Sequence, residues 1–259
     1  MPASKWLIVF ALPLAMGWVG CVSTTPQVVK IGLVAPFEGE YRQLGYDIVP
    51  AVRLALRDYT ANYADDLGLV VELVAYDDRC EADLAQEQAR KLLVDDSVVG
   101  VIGHFCDQAT AAALPLYVEY GLPVVTLHPQ DTSSGLVTVW GRTVNESPLH
   151  IPAEWIGWNR GSFVSLGALP SDSGLSTDDV EHFNAGFAVG SLGAEPGLLS
   201  YAAYEMAWLA IQQAVQDSIG LSIETPIDDA FIEDGRRLEA PAYRYQWDGE
   251  SLELIEVIP

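Results

Sequence analysis

Between Val28 and Thr126, short apolar, β-branched runs alternate with longer segments of helical period, and this alternation restricts the fold more than any other feature of the chain. Residues 28–35 read as a strand and 36–39 as a turn. From 44 to 63 the apolar residues Ile48, Val52, Leu54, Ala55 and Leu56 recur as on one face of a helix. Residues 69–76 form the next strand. Residues 82–93 form the next helix, with Glu87, Gln88 and Arg90 marking its wet face. An all-apolar strand at 98–103, an alanine-rich helix at 108–120, a turn at 121–123 and a fourth strand at 124–127 complete the region. Strand–helix–strand units of this spacing close right-handed and build a parallel sheet. Strands apolar on both faces lie inside such a sheet, under helices. The expected class is therefore α/β with a parallel, Rossmann-like sheet.

Beyond Leu127 the pattern loosens. A polar loop at 128–134 precedes a candidate strand at 137–144 and an irregular aromatic stretch at 145–162 with Trp155 and Trp158. A strand is expected at 163–169, a Ser/Asp/Gly loop at 171–177, helices at 178–189, 197–217 and 226–235, and a terminal hairpin around Asp248-Gly249. No internal repeat is visible.

The first twenty residues have the form of an export signal: Lys5, then an apolar run from Trp6 to Gly20 too short for a membrane span. Val19-Gly20-Cys21 resembles the bacterial lipoprotein cleavage box, with Trp18 where a leucine-like residue is usual. Cys21 is expected to carry lipid; an ordinary secretory peptide and an uncleaved anchor are the alternatives. Export implies an oxidising compartment. Of three cysteines, Cys80 and Cys106 then remain, an even number that suits a bridge or, failing that, two buried thiols. The formal charge of −23 excludes nucleic acid as a natural partner, since little is available to neutralise phosphates.

Two stretches carry a family resemblance. "VVKIGLVAPFEGEYRQLGYDIVPAVRLALRD" is similar to the opening of periplasmic binding proteins of the branched-chain amino acid type (type I fold). "LVVELVAYDDRCEADLAQEQARKLLVDDSVVGVIGHFCDQATAAALPLYVEYGLPVVTL" is similar to the next stretch of that family, with Asp-Asp-x-Cys and Gly-His-x-Cys at matching separation. "LLSYAAYEMAWLAIQQAV" and the final hairpin resemble its late helix and closing strands. The resemblance implies a Cys80–Cys106 bridge within the first lobe. It also implies a small solute bound between two lobes and delivered to an ABC permease, with no cofactor and no catalysis. Ligand would sit at the carboxyl ends of the parallel strands, near Glu40 and Tyr41, near His104, Asp107, Gln108 and Thr110, and near His128, Asp131 and Thr132.

The chain departs from the family pattern in its second lobe. Only about 55 residues separate Thr143 from Leu198, where relatives carry well over a hundred, so the second lobe is expected to be vestigial. The division expected is a signal at 1–20, a lipid-anchor linker at 21–27 and the ligand-binding lobe at 28–144. A shortened remnant of the second lobe occupies 145–196, and C-terminal helices and a hairpin return to the first lobe at 197–259. Asp107 stands where the family offers Ser to a ligand carboxylate, and Leu44 where some relatives carry Tyr.

Several candidates have a plain structural alternative. His104 either touches ligand or ends its strand bonded to backbone. Asp107 through Thr110 either present N–H groups to an anion or are satisfied by Asp107 as N-cap. His128, Asp131 and Thr132 form a site or a solvated loop. Tyr201 and Tyr204 line a cage or fill the core; Trp155 and Trp158 line a pocket or cover the edge left by the missing lobe. No Gly-x-Ser-x-Gly, His-Glu-x-x-His or P-loop occurs. The expectation is an extracytoplasmic, lipid-anchored solute-binding protein, not an enzyme, capturing an amino acid or amine. A sensory or protein-interaction module on the same fold is the alternative.

Overall fold

The computed structural model describes residues 25–145, 161–227, 232–237 and 240–259. The signal segment, Cys21, Trp155 and Trp158 lie outside these residues.

The alternation read from the sequence becomes β1 (Gln27–Ala35), α1 (Arg42–Tyr59), β2 (Leu69–Asp77), α3 (Ala82–Leu93), β3 (Val98–Gly103), α4 (Asp107–Tyr120) and β4 (Val124–Thr126), with a single π turn and a short α2 (Asp65–Leu67) closing the first helix. With β5 (Val137–Val139), β7 (Ile232–Glu233) and β8 (Arg236–Arg237) these strands form one sheet in the order β2-β1-β3-β4-β5-β8-β7. All neighbours in it are parallel except β7 and β8.

The chain moves from β1 to β2 in one direction and from β2 over β1 to β3 in the other, so right-handed crossovers place α1 and α3 on opposite faces. Alternation along β1 then divides the core. Ile31 and Leu33 pack beneath α1 and α6 (Ser200–Ile219), and Val34 packs with Ala85, Ala89, Ala113 and Tyr117 of α3 and α4. Gly32 makes room on that second face, since a Cβ there would stand 2.8 Å from Leu92 Cδ1. The Tyr59 hydroxyl donates to the Leu69 carbonyl at 2.9 Å, fixing the end of α1 to the start of β2.

A second, antiparallel sheet holds β6 (Gly161–Ser165), β9 (Ala242–Trp247) and β10 (Leu252–Ile258) in the order β10-β9-β6. Phe163 and Tyr245 stack on it with ring centres 6.1 Å apart. The terminal hairpin therefore completes this small sheet rather than returning to the first lobe, and of the C-terminal segments α6, β7 and β8 pack on or join the first sheet. α5 (Thr177–Gly190) begins at Ser176, whose hydroxyl accepts from the Asp179 N–H at 3.2 Å.

Other expectations need correction. The helix expected at 226–235 is absent from its described residues, where β7 and β8 are joined by Asp234-Gly235, both with positive φ. The strand expected at 137–144 stops at Val139, and the one expected at 163–169 runs from Gly161 to Ser165. Gln88 is buried rather than on a wet face. Among the described residues no helix is long and apolar enough to cross a membrane.

Candidate functional site

The leading edge, where β1, β3 and β4 end, is organised by a sharp reversal after β2 and the bridge that ties it to the start of α4. After β2 the chain turns through Arg79 and Cys80, both in the left-handed region (φ 50° and 60°). Carboxylates hold that turn: Asp77 Oδ1 accepts the Arg79 N–H at 3.2 Å and Asp78 Oδ1 the Cys80 N–H at 2.9 Å. Asp77 Oδ1 also accepts the Phe37 N–H at 2.6 Å, so it positions the loop that carries Glu40 and Tyr41. Cys80 is joined to Cys106 with Cα atoms 5.5 Å apart, which ties this turn to the start of α4. The Gln108 side chain donates to the Cys80 carbonyl.

The bridge decides what caps α4. Its N-cap is Cys106, in an extended conformation and making no side-chain capping bond, because its sulfur is already committed. Asp107 is thus the first helical residue rather than the cap. Its carboxylate lies 2.9 Å from His128 Nδ1 and its side chain is 72% exposed. His128 is buried and donates from Nε2 to the Phe105 carbonyl at 3.1 Å.

His104 points inward. Its Nδ1 lies 2.6 Å from Asp78 Oδ2 and its Nε2 3.2 Å from the Tyr117 hydroxyl, all within the core. Both alternatives read from the sequence are displaced: its side chain meets neither solvent nor backbone but a buried carboxylate and phenol. Burial pushes the Tyr117 phenol well above its usual range, with the Asp78 charge adding to it. The Thr110 hydroxyl is buried as well, 3.0 Å from both the His104 and Cys106 carbonyls.

Asp131 and Thr132 leave the edge. Asp131 accepts from the Ser133 N–H at 2.9 Å and from its hydroxyl at 3.0 Å. Those bonds hold the Asp131 carboxyl below its usual range. Thr132 lies against Gly235 beside the start of β5, its carbonyl accepting from Gly135 at 3.0 Å. The loop after β4 has to run back to begin a parallel β5, and it carries both residues with it. Of the nine predicted positions, Glu40, Tyr41, Asp107 and Gln108 are exposed near the leading edge, with His128 beneath them.

One charged group was missed. Trp140, just past β5, donates from its indole to Glu205 Oε2 at 3.2 Å. The Arg237 guanidinium lies 4.1 Å over the Trp140 ring and 3.6 Å from the same oxygen. Burial raises the Glu205 carboxyl to about 7 against the opposing pull of Arg237. A lone carboxylate in the apolar run from Tyr201 to Ala210 was the available signal. Among the described residues, no cluster of three or more His, Cys, Asp or Glu side chains is placed to hold a metal ion.

Three cavities of about 920, 540 and 30 Å³ are lined by none of the nine predicted positions. The first opens at the amino ends of β3 and β4. The second lies between α1, α5 and α6. The third is beside Glu205 and Arg237.

The family model described as periplasmic binding protein matches residues 28–161, just over half of the chain. An amino acid binding protein of Pseudomonas aeruginosa is 32% identical over 111 residues, 42% of this chain and 29% of the relative. A Leu/Ile/Val-binding protein of Escherichia coli K12 is 30% identical over 98 residues, 38% of this chain and 26% of the relative. The aligned stretches thus span under a third of those relatives. Among solved structures, a leucine binding protein from Thermotoga maritima superposes with a TM-score of 0.65 at 14% identity, over 89% of this chain and 98% of that one. A branched-chain amino acid substrate-binding protein from Streptococcus pneumoniae, in complex with isoleucine, gives 0.60 at 14% identity over 88% and 99%. At these identities the likeness is one of fold.

Proposed function

This chain belongs to the periplasmic binding protein family, and from that premise we propose that it captures a small polar solute outside the cytoplasm for an ABC permease. The proposed site is the leading edge of the sheet, formed by Glu40, Tyr41, Asp107 and Gln108 over His128. The observation that supports this reading is the start of α4 at the leading edge: the Cys106 side chain makes no capping bond there, and the first-turn N–H groups of a helix attract a carboxylate. Thr110 holds the His104 and Cys106 carbonyls from beneath, and His104 is held in the core by Asp78 and Tyr117. Residues 28–144 with α6 act as the capturing lobe. Residues 145–196 are the shortened remnant of the second lobe, whose β6 is paired by the terminal hairpin. Lipid on Cys21 provides the anchor in this reading, after removal of residues 1–20.

Capture from one side buries less of a ligand than closure of two lobes, so affinity is low. Asp107 stands beside the first-turn N–H groups of α4, so a ligand that carries an amine as well as a carboxylate is favoured over one that carries a carboxylate alone. Titration calorimetry against leucine, isoleucine, valine and short amines tests the proposal. Saturable heat supports it. Silence across the panel favours a second reading, a protein-interaction module. That reading is supported by the same open edge, which lines none of the three cavities.

A further inference from the structure

The cavity of about 540 Å³ between α1, α5 and α6 is far from the leading edge. It lies where α1 ends, near the amino end of β2, since Tyr63 and Asp58 line it and neighbouring Tyr59 bonds to Leu69. Its size falls in the range of small-molecule sites. We infer that this cavity is a second binding site, for an organic cation such as an alkylated amine.

Five aromatic side chains line it. Tyr63 and Tyr201 are half-buried and present ring surface to the cavity. Phe183, Tyr204 and Trp208 are buried behind them. Edge-to-face contacts fix this wall: Phe183 with Tyr201 at 5.3 Å, Phe183 with Tyr204 at 5.5 Å, Tyr204 with Trp208 at 6.3 Å and Tyr63 with Trp208 at 6.4 Å. A wall held in this way keeps its ring faces where they are, so a ligand meets preformed negative π surface.

The charge around the wall is mostly acidic. Asp58, Asp179 and Glu224 line the cavity with His182, and among the described residues no lysine or arginine does. Asp58 is mostly buried; its Oδ2 accepts from the Tyr204 hydroxyl at 2.9 Å and lies 3.9 Å from His182 Nε2. A mostly buried carboxylate beside aromatic faces, without an ammonium or guanidinium against it, suits a cation brought by the ligand. A bare metal ion does not fit, because the acidic side chains do not converge as a ligand set. An anion is repelled by the same carboxylates.

Isothermal titration of the purified protein with choline, and with its neutral isostere 3,3-dimethylbutanol, tests the inference without a variant. Choline should saturate, and the neutral alcohol should bind about tenfold more weakly or not at all, since it lacks the charge the rings and carboxylates recognise. Tyr201→Leu and Asp58→Asn should each weaken choline several-fold, with unchanged circular dichroism showing that the fold survives. Excess leucine should leave choline binding unaltered, which separates this site from the leading edge. Equal binding of choline and the alcohol, no saturation by choline, or competition by leucine would overturn it.

Discussion

Replacing both Cys80 and Cys106 by alanine removes a cross-link between residues 26 apart in sequence. In the chain-entropy model, freeing a loop of that length stabilises the unfolded ensemble by about 3.5 kcal/mol at 25 °C. For a chain of this size each kcal/mol moves the melting midpoint by roughly 2–4 °C, so the double variant should melt about 7–14 °C lower than the oxidised protein. The native edge should nonetheless persist. Asp77 and Asp78 still hold the reversal through their bonds to Arg79, Cys80 and Phe37 backbone N–H groups, and the Gln108 side chain still reaches the residue 80 carbonyl. Differential scanning calorimetry of both proteins under non-reducing conditions measures the shift. The double variant at pH 7 should keep the far-ultraviolet circular dichroism of the parent. A drop of less than about 2 °C, corresponding to under about 1 kcal/mol, would refute the reasoning. It would mean that the bridge constrains a segment already ordered in the unfolded chain.

The Asp47 carboxyl is raised from 3.8 to about 7, chiefly by burial, with Gln43 pulling the other way, and its Oδ2 has no hydrogen-bond partner. The native state therefore keeps a proton that the unfolded chain releases. The stability this provides is present below about pH 4 and is lost as pH rises to about 7, by about 4 kcal/mol. Urea unfolding across that window should show the fall. Asp47→Asn should flatten much of it and be the more stable form at pH 8, leaving the slope that Glu205, also raised to about 7, contributes. Gly103→Ala should destabilise by more than about 3 kcal/mol in urea, because Gly103 sits at φ +126° with the Val34 carbonyl where a Cβ would go; a loss below about 1 kcal/mol would contradict the close approach of β3 to β1. Asp107→Ser should tighten calorimetric binding of leucine by up to about fivefold, the effect of removing an exposed like charge, and an unchanged affinity would count against a carboxylate site at that helix start.

The first seven large elements were legible because each carries its own local period. Apolar β-branched runs bounded by Gly or Pro gave β1, β3 and β4, and the spacing of Ile48, Val52 and Ala55 gave α1. What escaped depends on pairing between distant segments. Asp234-Gly235 is the same dipeptide that marked the terminal hairpin, yet its flanking strands are two residues each, too short to show alternation. The strand expected at 137–144 is present but ends at Val139, where its pairing with β4 and β8 ends. The site was harder still. His104, Asp107 and Thr110 are close in sequence, but whether a side chain faces solvent turned on Asp78, Tyr117 and the Cys106 sulfur, which reach them through the fold. Asp131 and Thr132 looked like strand-end residues, and only the parallel register of β5 shows that their loop must run back.

The central claim is that the start of α4 and the loop after β1 receive a small solute. Two-dimensional amide NMR of the isotope-labelled protein, titrated with leucine, valine and short amines, tests it most directly. The account predicts saturable shifts in the backbone amides of Asp107, Gln108 and Ala109, with Glu40 and Tyr41 tracking the same isotherm. Saturation without movement at these amides, or no saturation by any solute in the panel, would contradict it.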